Sequence, residues 1–142
     1  MNSGRSVRIY IAEDSRLLLG TLRLHIKEAG GLELVGHSPT CKRAAEEILT
    51  LSPDLVLLDV HLADGDGFEI LEQLDGTGRS PVVAMMTLEA SEALRNRAEE
   101  LGVDLFFDKA SEAGALLDLL HNLGKGSVTL ESLRRPGASA HS

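Results

Sequence analysis

DLVLLD, residues 54–59, decides the reading of this chain. Leu55, Val56, Leu57 and Leu58 stand between Asp54 and Asp59 with no polar residue among them. An apolar run without alternation marks a strand covered on both faces, as in parallel sheets, whose βαβ crossovers put helices over each side. Three further runs have the same form, and each leads to residues that carry chemistry. RIYIAED (8–14) ends on Glu13 and Asp14, VVAMMT (82–87) on Thr87, and VDLFFDK (103–109) on Lys109. Parallel sheets hold their ligand sites beyond the carboxyl ends of the strands. Three acids, a hydroxyl and an amine are therefore expected to meet in one pocket. That set suits phosphoryl chemistry: acids to bind Mg²⁺, a carboxylate to act as nucleophile, and a cation to neutralise a phosphoryl group.

Between these runs, apolar residues recur at helical spacing. Leu18, Leu22, Ile26 and Ala29 precede Gly30-Gly31, which stops a first helix. LELVGH (32–37) reads as a strand, and Thr40 is suited to cap a helix striped by Ala44, Ala45, Ile48 and Leu49, with Pro53 just beyond it. The turn-like HLADGDG (61–67) follows DLVLLD and leads to a short helix over 67–74, the glycine-rich turn DGTGRS (75–80), and Pro81 before the next strand. Ala90, Leu94, Ala98 and Leu101 predict a helix over 90–101, stopped by Gly102. VDLFF forms the fifth strand, and Ser111 is placed to cap a last helix carrying Leu116, Leu117, Leu120 and Leu123. Five strands alternating with five helices predict an α/β doubly wound sheet with helices on both faces. The folded unit is expected over residues 7–123. Residues 124–142 contain only Val128, Leu130 and Leu133 as large apolar residues and are expected to form a flexible C-terminal tail. A short partner-binding or tethering segment is the alternative for that tail.

The composition sets outer limits. The 142 residues suit one domain, and a hydrophobic fraction of 43% is enough for a core. With no Trp, and with Tyr10, Phe68, Phe106 and Phe107 as the only aromatics, aliphatic residues must fill that core. A formal net charge of −8 argues against direct DNA or RNA binding, which neutralises phosphates with Lys and Arg, and against anionic membrane surfaces. Cys41 is the only cysteine, so no intrachain disulfide forms and a packing thiol is expected. The opening MNSGRSVRIY lacks the apolar stretch of a signal peptide, and no apolar run approaches the roughly 20 residues needed to span a bilayer. A cytoplasmic protein without membrane contact is expected.

Each candidate site residue also has a plainer reading. Asp59, taken alone, fits a turn or a helix cap as well as it fits chemistry, although a carboxylate at the end of a buried strand is costly unless paired. Asp14 or Ser15 is suited to cap the helix that follows. Asp64 and Asp66 do not have the spacing of a calcium loop and read as turn and N-cap residues. Lys109 is an ordinary surface lysine or the countercharge of the acids, and a lone Thr87 means little in a strand. The combination is what carries weight. Three converging carboxylates raise one another's pKa values, and a bound cation relieves that repulsion.

The ordered set Glu13-Asp14, Asp59, Thr87 and Lys109, with Gly67 in the loop after Asp59, resembles the receiver domains of two-component response regulators over about residues 7–123. The resemblance implies a flavodoxin-like five-stranded sheet of order 2-1-3-4-5. It implies that Asp59 accepts a phosphoryl group from the phosphohistidine of a sensor histidine kinase or a histidine phosphotransfer protein. Glu13, Asp14, Asp59 and the backbone carbonyl of His61 would hold Mg²⁺, and Lys109 would pair with the phosphoryl oxygens. Thr87 would bond the phosphoryl group and transmit its presence to Phe107 as the aromatic switch. The output face would comprise the last two strands and their helices. Three positions depart from the family pattern: Leu88 where a small residue is usual, Ala110 where many members have proline, and Ala63 in place of a common loop proline.

The implied protein is a stand-alone phosphoacceptor, not an enzyme beyond self-phosphorylation and autodephosphorylation at Asp59. It acts on a downstream protein and not on DNA, and a phosphorylation-dependent dimer stays open. Two alternatives stand beside it. One is a degenerate receiver used only for binding. The other is a phosphatase of the haloacid dehalogenase type, whose general acid lies two residues after the nucleophile, where this chain has His61. A nucleotide-binding domain is disfavoured, since no glycine-rich fingerprint follows the first strand.

Overall fold

The computed structural model describes residues 5–74 and 80–135. Within them lie β1 (Val7–Ala12), β2 (Leu32–Ser38), β3 (Leu55–Asp59), β4 (Val82–Thr87) and β5 (Leu105–Asp108), all parallel and arranged β2-β1-β3-β4-β5. The helices are α1 (Arg16–Ala29), α2 (Cys41–Leu51), α3 (Gly67–Leu74), α4 (Glu92–Glu100), α5 (Ala113–Lys125) and a single turn α6 (Leu130–Leu133). The expected doubly wound class and the 2-1-3-4-5 order are both present.

The period of two along each strand sorts the core into two layers. Ile9, Ile11, Leu55, Leu57, Val82, Ala84 and Met86 face α1 and α5, where Leu22, Ile26, Leu116, Leu120 and Leu123 meet them. Tyr10, Ala12, Val56, Leu58, Val83 and Met85 face α2, α3 and α4, meeting Ala44, Ala45, Ile48, Phe68, Ile70, Leu74 and Ala98. Every residue of β3 and β4 is buried, as the unbroken apolarity of those runs requires. Each buried leucine contributes about 1.5–3 kcal/mol over an exposed one. The register pairs Ala12 with Leu58, Asp59 with Met86, and Thr87 with Asp108, so the four strands finish close to level. The residues that follow those ends are thereby gathered at one edge.

Local signals set most of the boundaries. Ser15, Thr40 and Ser91 cap α1, α2 and α4, each accepting a hydrogen bond from the backbone N–H three residues on. Asp66 and Glu69 form a reciprocal capping box at the start of α3: Asp66 Oδ1 accepts from Glu69 N at 3.3 Å, and Glu69 Oε2 accepts from Asp66 N at 3.1 Å. Asp64 acts at a distance, its carboxylate accepting from Cys41 N and Lys42 N and so capping α2 from another part of the chain. Cys41 is a buried packing thiol, pushed up to about 12 by burial and by the neighbouring Asp64.

Two boundaries differ from expectation. Ser111 does not cap α5. The helix begins at Ala113 with Glu112 in the cap position and no side-chain cap bond, because the Glu112 carboxylate turns to Asp108 N and Arg95 Nη2. The second lies beyond residue 123, where the tail is expected to begin. α5 runs to Lys125, and Val128, Leu130 and Leu133 then pack on the α1/α5 layer. The expected turn at 75–80 falls outside the described residues except for Ser80, and so does the expected tail from 136 to 142.

Candidate functional site

Asp59 closes β3 and is 3% exposed. Its Oδ1 accepts from the backbone N–H of His61 at 3.1 Å, and its Oδ2 accepts from Lys109 Nζ at 2.8 Å. The strand end is held by two backbone bonds, Val60 N to Met86 O at 3.0 Å and Gly67 N to Val60 O at 2.7 Å. The second bond brings the loop so close that a Cβ on Gly67 would lie 2.4 Å from the Asp59 carbonyl oxygen and 3.1 Å from Leu58 Cγ. Gly67 is therefore required by space.

Glu13 follows β1 and is 2% exposed. Its Oε2 accepts from Ser15 N at 2.9 Å and from Lys109 Nζ at 3.1 Å. Its Oε1 lies 2.9 Å from the same ammonium but off the hydrogen-bonding direction, so this buried oxygen receives charge and, among the described residues, no hydrogen bond. Burial pushes the Glu13 carboxyl up to about 6, with the Asp59 charge adding to the effect and the bonds from Lys109 and Ser15 opposing it. Lys109 is anchored by its own N–H, which bonds Thr87 O at 2.8 Å. Burial alone would lower its pKa, but the hydrogen bonds to Asp59 and Glu13 outweigh that and hold it above the ordinary value. Lys109 thus clamps two buried acids, while Asp14 stands exposed beside them.

The acids fit a divalent cation. One carboxylate oxygen each from Glu13, Asp14 and Asp59 lies within 4.8 Å of the others, an all-oxygen set of the kind a hard cation takes. The Glu13 oxygen without a donor is the second sign, since a buried acceptor left unbonded is costly.

Thr87 closes β4 and is fully buried, its Oγ1 accepting from Glu89 N at 3.1 Å. Val83 and Met85 lie on the α4 side, so the alternation of β4 puts Thr87 there too. Phe106 packs on that side, with the Arg95 guanidinium of α4 4.8 Å from its ring centroid. Phe107, the expected switch aromatic, packs on the opposite layer, against the α1/α5 side. The phase of β5 separates Phe107 from Thr87 and puts Phe106 with it. Leu88 is 69% exposed at the rim, and the His61 ring, also exposed, lies 3.9 Å from the Glu89 carboxylate.

Residues 9–121 match the family described as response regulator receiver domain. The chain belongs to this family and so to two-component signalling. Receiver domains interact with histidine kinases, generally bind Mg²⁺ at an acidic pocket, and are in general not enzymes themselves. Among relatives, the protein-glutamate methylesterase/protein-glutamine glutaminase 1 of Dechloromonas aromatica is 36% identical over 108 residues, covering 75% of this chain and 31% of that protein. The uncharacterized transcriptional regulatory protein YvfU of Bacillus subtilis is 28% identical over 120 residues, covering 84% of this chain and 60% of that one. The chain thus spans under a third of the methylesterase and three fifths of the regulator. Among solved structures, the response regulator domain of Thermotoga maritima CheB superposes with a TM-score of 0.71 at 22% identity, covering 85% of this chain and 98% of that one. The BeF3-activated N-terminal receiver domain of Klebsiella pneumoniae RstA gives 0.67 at 26% identity, covering 79% and 94%. No helix among the described residues is long and apolar enough to cross a membrane.

Proposed function

We propose that this receiver is a cytoplasmic phosphoacceptor that takes a phosphoryl group from a phosphohistidine onto Asp59 and signals through protein contacts. The supporting observation is the Lys109 clamp on buried Asp59 and Glu13 with Asp14 at its side. A receiver kept only for binding has no need to bury two carboxylates against one lysine.

The chemistry follows from placement. An Asp59 oxygen forms a bond to phosphorus as the bond from phosphorus to the donor's imidazole nitrogen breaks. The nitrogen recovers the electron pair and takes a proton. Glu13, Asp14, Asp59 and the carbonyl of His61 would hold Mg²⁺, which when bound supplies charge neutralisation at the phosphoryl oxygens. Lys109 moves from Asp59 Oδ2 to a phosphoryl oxygen, exchanging one charge-assisted bond for another. Thr87 turns its hydroxyl from Glu89 N toward the new group. The space this opens lies on the layer that holds Phe106, so the aromatic step assigned by resemblance to Phe107 passes to Phe106, and α4 is the element it moves.

The donor is a sensor histidine kinase or a histidine phosphotransfer protein, and the output is a downstream protein and not DNA. Incubation with acetyl phosphate and Mg²⁺ should add one phosphoryl mass to the chain and none to Asp59→Asn. Equal labelling of the variant would overturn the assignment.

A further inference from the structure

α4 is held unlike the other helices over the sheet. Among its residues only Ala98 is buried and Leu94 packs half-buried against the same layer, so arginines add much of its hold. Arg97 lies 4.3 Å from the Phe68 ring centroid on α3, and Arg95 covers Phe106 and pairs with Glu112 at 3.2 Å. A further arginine comes from outside the matched residues 9–121. After α5, the segment 126–135 turns back beneath the sheet. Arg134 Nη1 bonds Ser80 O at 3.1 Å just before β4, and Arg135 N bonds Asp104 Oδ1 at 2.7 Å just before β5. The Arg135 guanidinium then donates to Glu99 O in the last turn of α4 and lies 3.6 Å from the Glu99 carboxylate. Glu99 O also accepts from Gly102 N at 3.1 Å, so the guanidinium adds a second donor at the helix end and complements the negative end of its dipole.

We infer that residues 126–135 are a strap that holds α4 in its resting position and is released when Asp59 is phosphorylated, so that the state of the site reaches the C-terminal segment. The strap's far end is secured independently, since Val128, Leu130 and Leu133 pack on the α1/α5 layer. Among the described residues of the strap, Arg135 is the one that crosses to α4. If phosphorylation draws α4 toward Thr87 and Phe106, that contact breaks first. Coupling is reciprocal: whatever loosens the strap must favour the phosphorylated arrangement by the same factor. The release half of this inference rests on the phosphoacceptor reading, whereas the restraint half does not.

Amide exchange on the full chain separates the two halves. Without any phosphoryl mimic, Arg135→Ala should speed exchange across residues 92–101 several-fold, with Glu99→Ala giving a smaller effect because the carbonyl contact survives. Unchanged protection of 92–101 in Arg135→Ala overturns the restraint. With beryllofluoride and Mg²⁺, the parent should exchange faster at 126–135 as well as at 92–101, and Arg135→Ala should bind beryllofluoride several-fold tighter. Changes at 92–101 that leave 126–135 fully protected overturn the release. If beryllofluoride changes nothing anywhere in the parent, the phosphoacceptor reading falls, and the Arg135→Ala comparison still decides the restraint.

Discussion

Asp54 and Asp59 flank the same four apolar residues, and the two ends of β3 use one side chain in opposite ways. At the amino end, Asp54 Oδ2 accepts from Arg8 N at 2.9 Å, and the Arg8 guanidinium bonds Leu51 O and Ser52 O. Asp104 does the same before β5, its two oxygens accepting from Val83 N and Arg135 N. These carboxylates are satisfied by backbone N–H groups, two of them at strand starts (Arg8 and Val83) and one in the segment after α6 (Arg135). At the carboxyl end, Asp59 and Glu13 face each other across a single lysine, and one Glu13 oxygen has no donor among the described residues. A carboxylate at a strand end is therefore no signal by itself. An acid supplied by backbone donors holds the fold, while an acid that must share a cation with other acids is ready to exchange partners.

The sharpest way to break this contrast is to exchange the losses. Asp59→Asn should lose all phosphoryl uptake while shifting the urea midpoint little, because a buried charge leaves with its partner's repulsion. Asp104→Ala should keep phosphoryl uptake and lose about 2 kcal/mol, as two backbone donors are left without acceptors. If both variants lose stability alike and both still take up phosphate, the distinction between the two ends fails.

Lys109→Ala tests the shared cation. Breaking a buried pair leaves uncompensated charge, on the order of 3 kcal/mol in the metal-free protein. Mg²⁺ titration should show binding at least as tight as in the parent, because the competing ammonium is gone, and Mg²⁺ should restore much of the lost stability. Phosphoryl uptake should fall sharply. Weaker Mg²⁺ binding in this variant would contradict the arrangement.

A smaller effect lies in the pH dependence. The Glu13 carboxyl is raised from an ordinary 4.5 to about 6, so folding favours its protonated form. Its contribution is complete below about pH 4.5 and is lost as pH rises through about 6, roughly 2 kcal/mol in all. Urea midpoints of the chelated protein, compared with Glu13→Gln across pH 4.5–7.5, should show this loss in the parent only. The smallest effect concerns Cys41, whose thiol is pushed up to about 12. A thiol reagent at pH 8 should react with the unfolded chain and leave the folded one essentially unmodified.

Much of this was legible in the residues, for identifiable reasons. Continuous apolarity marks β3 and β4 because both are covered on two sides, and their order along the chain brings Asp59, Thr87 and Lys109 to one edge. Phe106 and Phe107 were harder to separate. Both are aromatic and β5 is an edge strand half-buried throughout, so its composition gives no phase; the register of β4 and β5 supplies one. Asp64 reads as a turn residue, and only the tertiary fold brings it to α2, which begins 23 residues earlier. Val128, Leu130 and Leu133 are too dispersed to announce packing, yet the exposed end of the α1/α5 layer takes all three.

Gly67 bears on how freely this sequence can drift. It has no donor or acceptor beyond its backbone, yet one added methyl group would collide with the carbonyl of Asp59. In a saturation library scored for phosphoryl uptake, position 67 should tolerate as few replacements as Lys109, while Leu88, with its side chain in open solvent, should tolerate many. The tolerance map of the pocket would then be drawn by volume as much as by charge, with one of its least replaceable residues being the one with no side chain to replace.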